Sequence, residues 1–157
     1  MEKIVIQSVV HLCSLEELTP GEQQLVGLAI EATSRSYSPY SHFSVGAAVR
    51  LEGGETVIGC NQENAAFPVT LCAERTAIFA AGAQHPDKAV TALAIAARSA
   101  DGQLTEEPIS PCGSCRQVMV ETETRFHRPI TLLLYGRKGV YRIEGTKHLM
   151  PLTFSEF

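Results

Sequence analysis

The residues whose types and spacing could do chemistry are Cys72, Cys112 and Cys115, with Glu74 close by in sequence. Cys112 and Cys115 are three apart, so on a helix they share a face. Ser110 and Pro111, just ahead, read as the cap and first residue of that helix, which puts both thiols in its opening turns. There the unpaired backbone N–H groups and the helix dipole favour a thiolate over a thiol. Cys72 stands in the same relation to Thr70, the expected cap of a second helix. Two helix starts aimed at one spot would bring three thiolates together. Zinc takes such ligands tetrahedrally at about 2.3 Å, and three protein ligands leave one position for water, as catalytic sites do. A C-x-x-C pair alone also allows a redox couple or two inert core thiols. Cys13 and Cys60 lack a paired spacing and read as small buried hydrophobes.

Glu74 follows Cys72 by two, and positions two apart on a helix do not face alike, so it is not expected to share the metal. It can border the pocket above the helix end. A carboxylate beside an activated water is what proton shuttling requires. An acidic residue in a helix's first turn is also favoured by the dipole with no further role. The combination C-A-E followed by P-C-x-x-C resolves this choice, because it is the signature of zinc deaminases in a three-cysteine form.

A chain of 157 residues, 45% hydrophobic and 19% charged, can build a real core and suits one domain spanning residues 1–157. The net charge of −4, with no basic run, argues against a nucleic-acid partner. No stretch approaches the roughly 20 apolar residues of a membrane span. The first residues lack the pattern of a secretory leader, so the expected location is the cytoplasm, where free thiols and metal sites outnumber disulfides.

Elements must position these residues. Residues 3–11, rich in Val and Ile, predict a strand within an N-terminal extension over residues 1–20. Thr19, Pro20 and Glu22 form a capping box with proline at the first helical position, ahead of Leu25, Leu28, Ala29 and Ala32 at helical spacing. The segment 36–42 reads as a turn. Strands are expected over 43–51 and 56–60, joined at Gly53 and Gly54, then a helix over 72–81 with Gly82 near its end. A buried strand over 90–96, a surface loop over 98–107, a helix from Ser110 and strands over 130–135 and 140–144 complete the pattern. This mixture of hairpins and helical crossovers predicts an α/β sandwich: a mixed sheet of about five strands with helices on both faces.

Five blocks extend the likeness beyond the metal motif: YSPYSHFSVGAAV (37–49), GCNQENAAF (59–67), LCAERTAIF (71–79), ISPCGSCRQV (109–118) and LMPLTF (149–154). In this order they resemble the cytidine deaminase family. The resemblance implies a three-layer α/β/α cytidine deaminase-like sandwich, assembled as a homotetramer. It also implies hydrolytic deamination of the nucleosides cytidine and deoxycytidine in pyrimidine salvage, by a zinc-activated water adding to C4. By the same resemblance Cys72, Cys112 and Cys115 bind one Zn2+ per chain and Glu74 is the proton shuttle. Phe43 packs on the pyrimidine, Asn61 and Glu63 hold the ribose 3′-hydroxyl, and Ala73 and Ser110 meet the base through their backbones. Arg75 offsets the negative charge of the thiolates, and Phe154 is donated by a neighbouring subunit, with Phe157 beside it. Taken singly, Phe43 also reads as a core residue, Asn61 and Glu63 as turn residues, and Arg75 as a solvated charge. Deamination of an antibiotic, a deoxynucleotide or a polynucleotide base, and a noncatalytic zinc-binding role, are the other classes open to this motif. Phe67-Pro68 departs from the Tyr-Gly of many family members, which removes a hydroxyl and stiffens the loop before the second helix.

Overall fold

The computed structural model describes residues 1–155. A six-stranded sheet runs in the order β1-β6-β5-β4-β2-β3, with β1 at His11–Cys13, β2 at Ser44–Leu51, β3 at Thr56–Cys60, β4 at Val90–Arg98, β5 at Thr131–Gly136 and β6 at Gly139–Glu144. β4 and β5 are parallel; the other neighbours are antiparallel. The parallel pair needs a crossover, and α3 (Gly113–Phe126) provides it. The sixth strand is the three-residue β1, one more than expected.

Alternation along the strands divides the core. On one face Ala47, Val49, Leu93, Ile95, Leu132 and Leu134 pack under α2 (Ala73–Gln84) and α3, through Ala77, Ala81, Cys115 and Met119. On the other, Ala48, Ala92, Ala94 and Leu133 pack under α1 (Pro20–Ala32), through Leu25, Val26 and Ala29. The result is the three-layer sandwich, one helix on one face and two on the other.

Two glycines let the layers approach. A Cβ on Gly46 of β2 would lie 2.1 Å from the Ala29 carbonyl oxygen of α1, and one on Gly59 of β3 would lie 2.4 Å from the Ala77 nitrogen of α2. Both helices therefore sit on strand backbone, closer than any side chain permits.

The expected capping box of α1 is present: the Glu22 N–H donates to the Thr19 hydroxyl at 3.3 Å, and the Thr19 N–H donates to Glu22 Oε2 at 3.0 Å. Gly53 and Gly54 turn the β2–β3 hairpin with φ of 104° and 99°. The 98–107 segment is a surface excursion, pinned by an Arg98–Leu104 bridge.

Two expectations about these elements need correction. Residues 3–10 form no strand: pairing with β6 is confined to His11, Leu12 and Cys13, opposite Arg142, Tyr141 and Val140, and β-propensity without a partner strand makes none. Cys13 and Cys60 are half-buried rather than buried, each held by a polar contact, Cys60 Sγ to the Arg35 carbonyl at 3.1 Å and Cys13 Sγ to that of Val140 at 3.5 Å.

Candidate active site

The cysteines sit nearer the helix starts than expected. Cys72 and Cys112 are themselves the N-cap residues of α2 and α3, in extended conformation, and neither makes a side-chain cap bond. Thr70 is not the cap of α2; its hydroxyl instead accepts the Asn64 N–H at 3.1 Å, which ties down the preceding loop. Ser110 and Pro111 lie outside α3. The Arg116 N–H closes the first turn of that helix on the Cys112 carbonyl at 3.0 Å, which makes Cys112 its cap.

This numbering by position explains the contacts. N-cap and N3 side chains meet above the first turn of a helix, as Thr19 and Glu22 do in α1. Cys112 and Cys115 occupy that pair of positions in α3, and their sulfurs are 3.5 Å apart. Cys72 and Arg75 occupy it in α2, with Arg75 Nη2 3.6 Å from Cys72 Sγ. Ala73 and Glu74 then fall at N1 and N2. The two helix starts face each other, and Cys72 Sγ lies 3.7 Å from Cys112 Sγ.

All three ligand atoms lie within 4.8 Å of one another, and among the described residues this is the group placed to hold a metal ion. Tetrahedral zinc with bonds of about 2.3 Å spaces its sulfurs by about 3.8 Å, which fits the separations of 3.5 and 3.7 Å. Cys115 is buried, Cys72 half-buried and Cys112 exposed, so the site opens on one side only.

Cys72 and Cys115 share a hydrogen bond that sets them apart. Cys72 is pulled down to about 5, first by a hydrogen bond from Cys115, then by Arg75 and Cys112, against the opposing effect of burial. Cys115 is pushed up by the same bond to Cys72 and by burial. The Glu74 carboxyl is raised by burial, reinforced by the negative charge of Cys72.

Above the thiols lies a cavity of ≈ 230 Å³. Its lining includes Phe43, Asn61, Glu63, Ala73, Glu74 and Ser110, together with Cys72 and Cys112. Eight residues singled out from sequence thus meet in one cavity. Cys115 lies behind it in the core, and Arg75 lies against Cys72 without lining it. Val45, Leu71, Thr70 and Ile109 also line the cavity. The period of two from Phe43 gave a signal for Val45; Leu71 and Ile109 adjoin residues already chosen.

Asn61 is buried and occupied by its own chain. Its Oδ1 accepts the Val45 N–H at 2.8 Å and the Ser36 hydroxyl, and its Nδ2 donates to the Phe43 carbonyl at 2.9 Å. It therefore fixes the backbone on both sides of Ser44, and with it the place of Phe43. Glu63 accepts the Tyr40 N–H at 2.8 Å, the Ser41 N–H at 3.2 Å and the Ser41 hydroxyl. Those bonds, the Ser41 hydroxyl foremost, hold its carboxyl below the usual range. A neighbouring hollow shares Glu63 and Thr70 and is walled by Tyr40 and Phe67, whose rings meet edge to face at 5.7 Å. Phe154 does not line the cavity of its own chain; it is 68% exposed, with its carbonyl held by Gln117 Nε2 at 2.7 Å. Phe157 lies outside the described residues.

A three-layer α/β/α fold with three thiols at two helix starts and a buried glutamate beside them defines a zinc-dependent hydrolase that activates water. Comparison with known proteins narrows this. Residues 20–127 match the family described as the cytidine and deoxycytidylate deaminase zinc-binding region. The cytidine deaminase of Sporosarcina psychrophila is 44% identical over 134 residues, 85% of this chain and 91% of that one. That of Halalkalibacterium halodurans is 44% identical over 99 residues, 63% of this chain and 70% of its own. A crystal structure of cytidine deaminase from Burkholderia pseudomallei matches with a TM-score of 0.73 at 35% identity, covering 87% of this chain and all of that one. The cytidine deaminase structure from Mycobacterium tuberculosis matches at 0.66 and 32%, covering 86% and 98%. The chain belongs to the cytidine and deoxycytidylate deaminase family, and is a zinc-dependent hydrolytic deaminase. No helix among the described residues is long and apolar enough to cross a membrane.

Proposed function

We propose that this enzyme converts cytidine and deoxycytidine, with water, to uridine and deoxyuridine plus ammonia. The observation that carries the reading is a single one: two of the three clustered thiols, Cys72 and Cys112, form one end of a cavity whose other walls include Glu74, Phe43, Asn61 and Glu63, with Cys115 directly behind them. In this reading residues 1–157 act as one domain, in the cytoplasm and in pyrimidine salvage. The relatives named above, described as cytidine deaminases, support the substrate class.

Cys72, Cys112 and Cys115 hold the zinc. When bound, the metal supplies a Lewis acid that makes a water more acidic and fixes its position. Arg75, against Cys72 Sγ, offsets part of the charge of three thiolates. Glu74 takes a proton from the water as its oxygen adds to C4, and delivers that proton to N3. Glu74 then takes the proton of the new C4 hydroxyl and passes it to the amine, and the C4–N bond breaks as the C4 carbonyl forms and ammonia leaves. The Ala73 N–H, at the first position of α2 where no intrahelical partner exists, is available to the base. The Ser110 carbonyl serves the amine, and Phe43 packs on the ring.

Asn61 and Glu63 face the sugar, Asn61 through the second N–H of its Nδ2, the one its own chain does not use. Glu63 is a carboxylate and accepts a hydrogen bond from a hydroxyl, whereas a phosphate there would meet like charge. Cytidine and deoxycytidine are therefore expected as substrates and CMP and single-stranded DNA as poor ones. The homotetramer, with Phe154 completing a neighbour's site, is part of the same proposal; its support is the exposure of that ring beside the C-terminal segment. The test is cytidine turnover by Glu74→Gln. Glutamine keeps the shape and cannot accept the proton, so turnover should fall by at least the ~10²–10⁴-fold of general acid–base catalysis with zinc retained. Near-normal turnover would remove Glu74 from the mechanism.

A further inference from the structure

The most weakly supported ligand is Cys112. Cys115 is buried in the core and Cys72 is half-buried against Arg75, but Cys112 is exposed and its N-cap position carries no side-chain cap. Packing alone does not hold this sulfur in place. Something must hold the turn at residues 111–112, where a proline precedes the helix.

We propose that Arg116 is a positioning residue for the metal centre, a clamp that ties the Cys112 turn to the C-terminal segment. Its Nε donates to the Pro111 carbonyl at 2.9 Å and its Nη1 to the Leu149 carbonyl at 2.7 Å. Its backbone N–H donates to the Cys112 carbonyl at 3.0 Å. One residue thus grips the two consecutive carbonyls that flank the ligand's own amide, and a third carbonyl 33 residues away in sequence. Nε and Nη1 belong to one rigid planar group, so the separation of the two side-chain acceptors is set by the guanidinium itself.

Leu149 is a firm post for this clamp. Its N–H and that of Met150 donate to the Thr146 carbonyl, each at 2.9 Å. Thr146 is buried, and its N–H donates to Glu123 Oε1 at 3.0 Å while its hydroxyl bonds Glu123 Oε2. Glu123 lies on α3 and also accepts the Ile130 N–H at 2.7 Å. The C-terminal segment is therefore anchored to the far half of α3, and Arg116 carries that anchoring back to the near end, where the ligand sits. In consequence, a displacement of Leu149 is felt at Cys112. Gln117, the next residue, holds the Phe154 carbonyl and bonds nothing in the 111–112 turn, which makes it an internal control.

The inference rests on the zinc site of the reading above and not on its substrate. The experiment measures zinc affinity of the full chain by chelator competition, and the absorption of the cobalt-substituted protein, for Arg116→Ala, Arg116→Lys and Gln117→Ala. Partners that orient metal ligands are worth roughly 10–100-fold in metal affinity, so Arg116→Ala should lose about that much and change the thiolate-to-cobalt bands. A lysine cannot straddle two carbonyls and should fall between wild type and alanine. Gln117→Ala should stay within about twofold of wild type. Wild-type affinity in folded Arg116→Ala, or an equal loss in Gln117→Ala, overturns the clamp. If Arg116→Ala does not fold, Arg116→Lys decides, and wild-type affinity there overturns it as well. Neither readout requires turnover, so a failure of the cytidine reading would be seen separately.

Discussion

Gly59 offers a way to move the site without touching it. A Cβ at this position would lie 2.4 Å from the Ala77 nitrogen, 2.6 Å from the Ala73 carbonyl oxygen and 2.9 Å from Ala77 Cα. All three are backbone atoms of α2, so no rotamer change relieves the contact. Ordinary contact begins at 3.4 Å, and α2 must back away by about 1 Å in Gly59→Ala. Ala73 is the first residue of that helix, between Cys72 and Glu74, so the displacement falls on a zinc ligand and the proton carrier together. Overpacking of this kind costs about 1–3 kcal/mol, and a misplacement near 1 Å about 10²-fold in kcat/KM. Gly82 is the comparison within the same helix. A Cβ there meets nothing within 4 Å, and Gly82→Ala should stabilise by about 0.5–1 kcal/mol through reduced backbone entropy in the unfolded chain. Urea unfolding and cytidine turnover of the two variants give the test. The expected result is opposite signs in stability, with activity lost only in Gly59→Ala. A Gly59→Ala protein as stable and as active as its parent would refute the argument that strand backbone sets the position of α2.

Cys112→Ala should lose zinc, measured by metal analysis after dialysis, and full zinc with full activity would remove Cys112 from the ligand set. Phe154→Ala should lower kcat/KM about tenfold to hundredfold if the ring stacks on a neighbour's pyrimidine, since base stacking is worth roughly 1–3 kcal/mol. Mixed with Glu74→Gln after subunit exchange, it should regain activity above either parent; no gain despite proven exchange, or an active monomer, defeats the shared site. Glu22 governs part of the acid limb of stability. Burial raises its carboxyl, but the Thr19 N–H and hydroxyl and Arg142 outweigh burial and leave it below the ordinary value. Its contribution is therefore present above the unfolded carboxyl value of about 4.3 and is lost as pH falls through the lower folded value. Glu22→Gln should be less stable at pH 7, with the gap from wild type closing toward pH ~3 in thermal melts; a gap independent of pH would count against this.

What could be read from sequence depended on whether local rules decided the outcome. The start of α1 was legible because Thr19, Pro20 and Glu22 each satisfy a helix-start rule and nothing else competes for them. The buried strand over 90–96 was equally local, since a strand covered on both faces reads as a near-continuous apolar run. The N-terminal run failed for the opposite reason. Its β-propensity is real, but a strand also needs a neighbour, and the length of the β6 edge is not written in residues 3–10. The site residues were found through their order and motif. Their convergence on one cavity comes from α2 and α3 lying on the same face of the sheet, a tertiary fact.

The displaced caps show how the site is made. Thr70 and Ser110 are good N-cap residues, and local preference alone would start the helices there. Both helices instead begin two residues later, at cysteines that make no cap bond. Each substitution of a sulfur for a hydroxyl forgoes roughly 0.5–2 kcal/mol of capping. The gain is position. An N-cap side chain lies at the mouth of the helix beside the N–H groups that lack partners, so Cys72 and Cys112 face one another across two helix ends, and Cys115 at N3 reaches the same point from one turn inside. Starting the helices at Thr70 and Ser110 would carry Cys72 and Cys112 onto the first turn, rotated from that mouth. The places where helix-start preference fails are thus the places where three sulfurs must meet, and the failure is itself a sign of function. It also leaves Cys112 without the support a capped residue would have, which the guanidinium of Arg116 restores from the side.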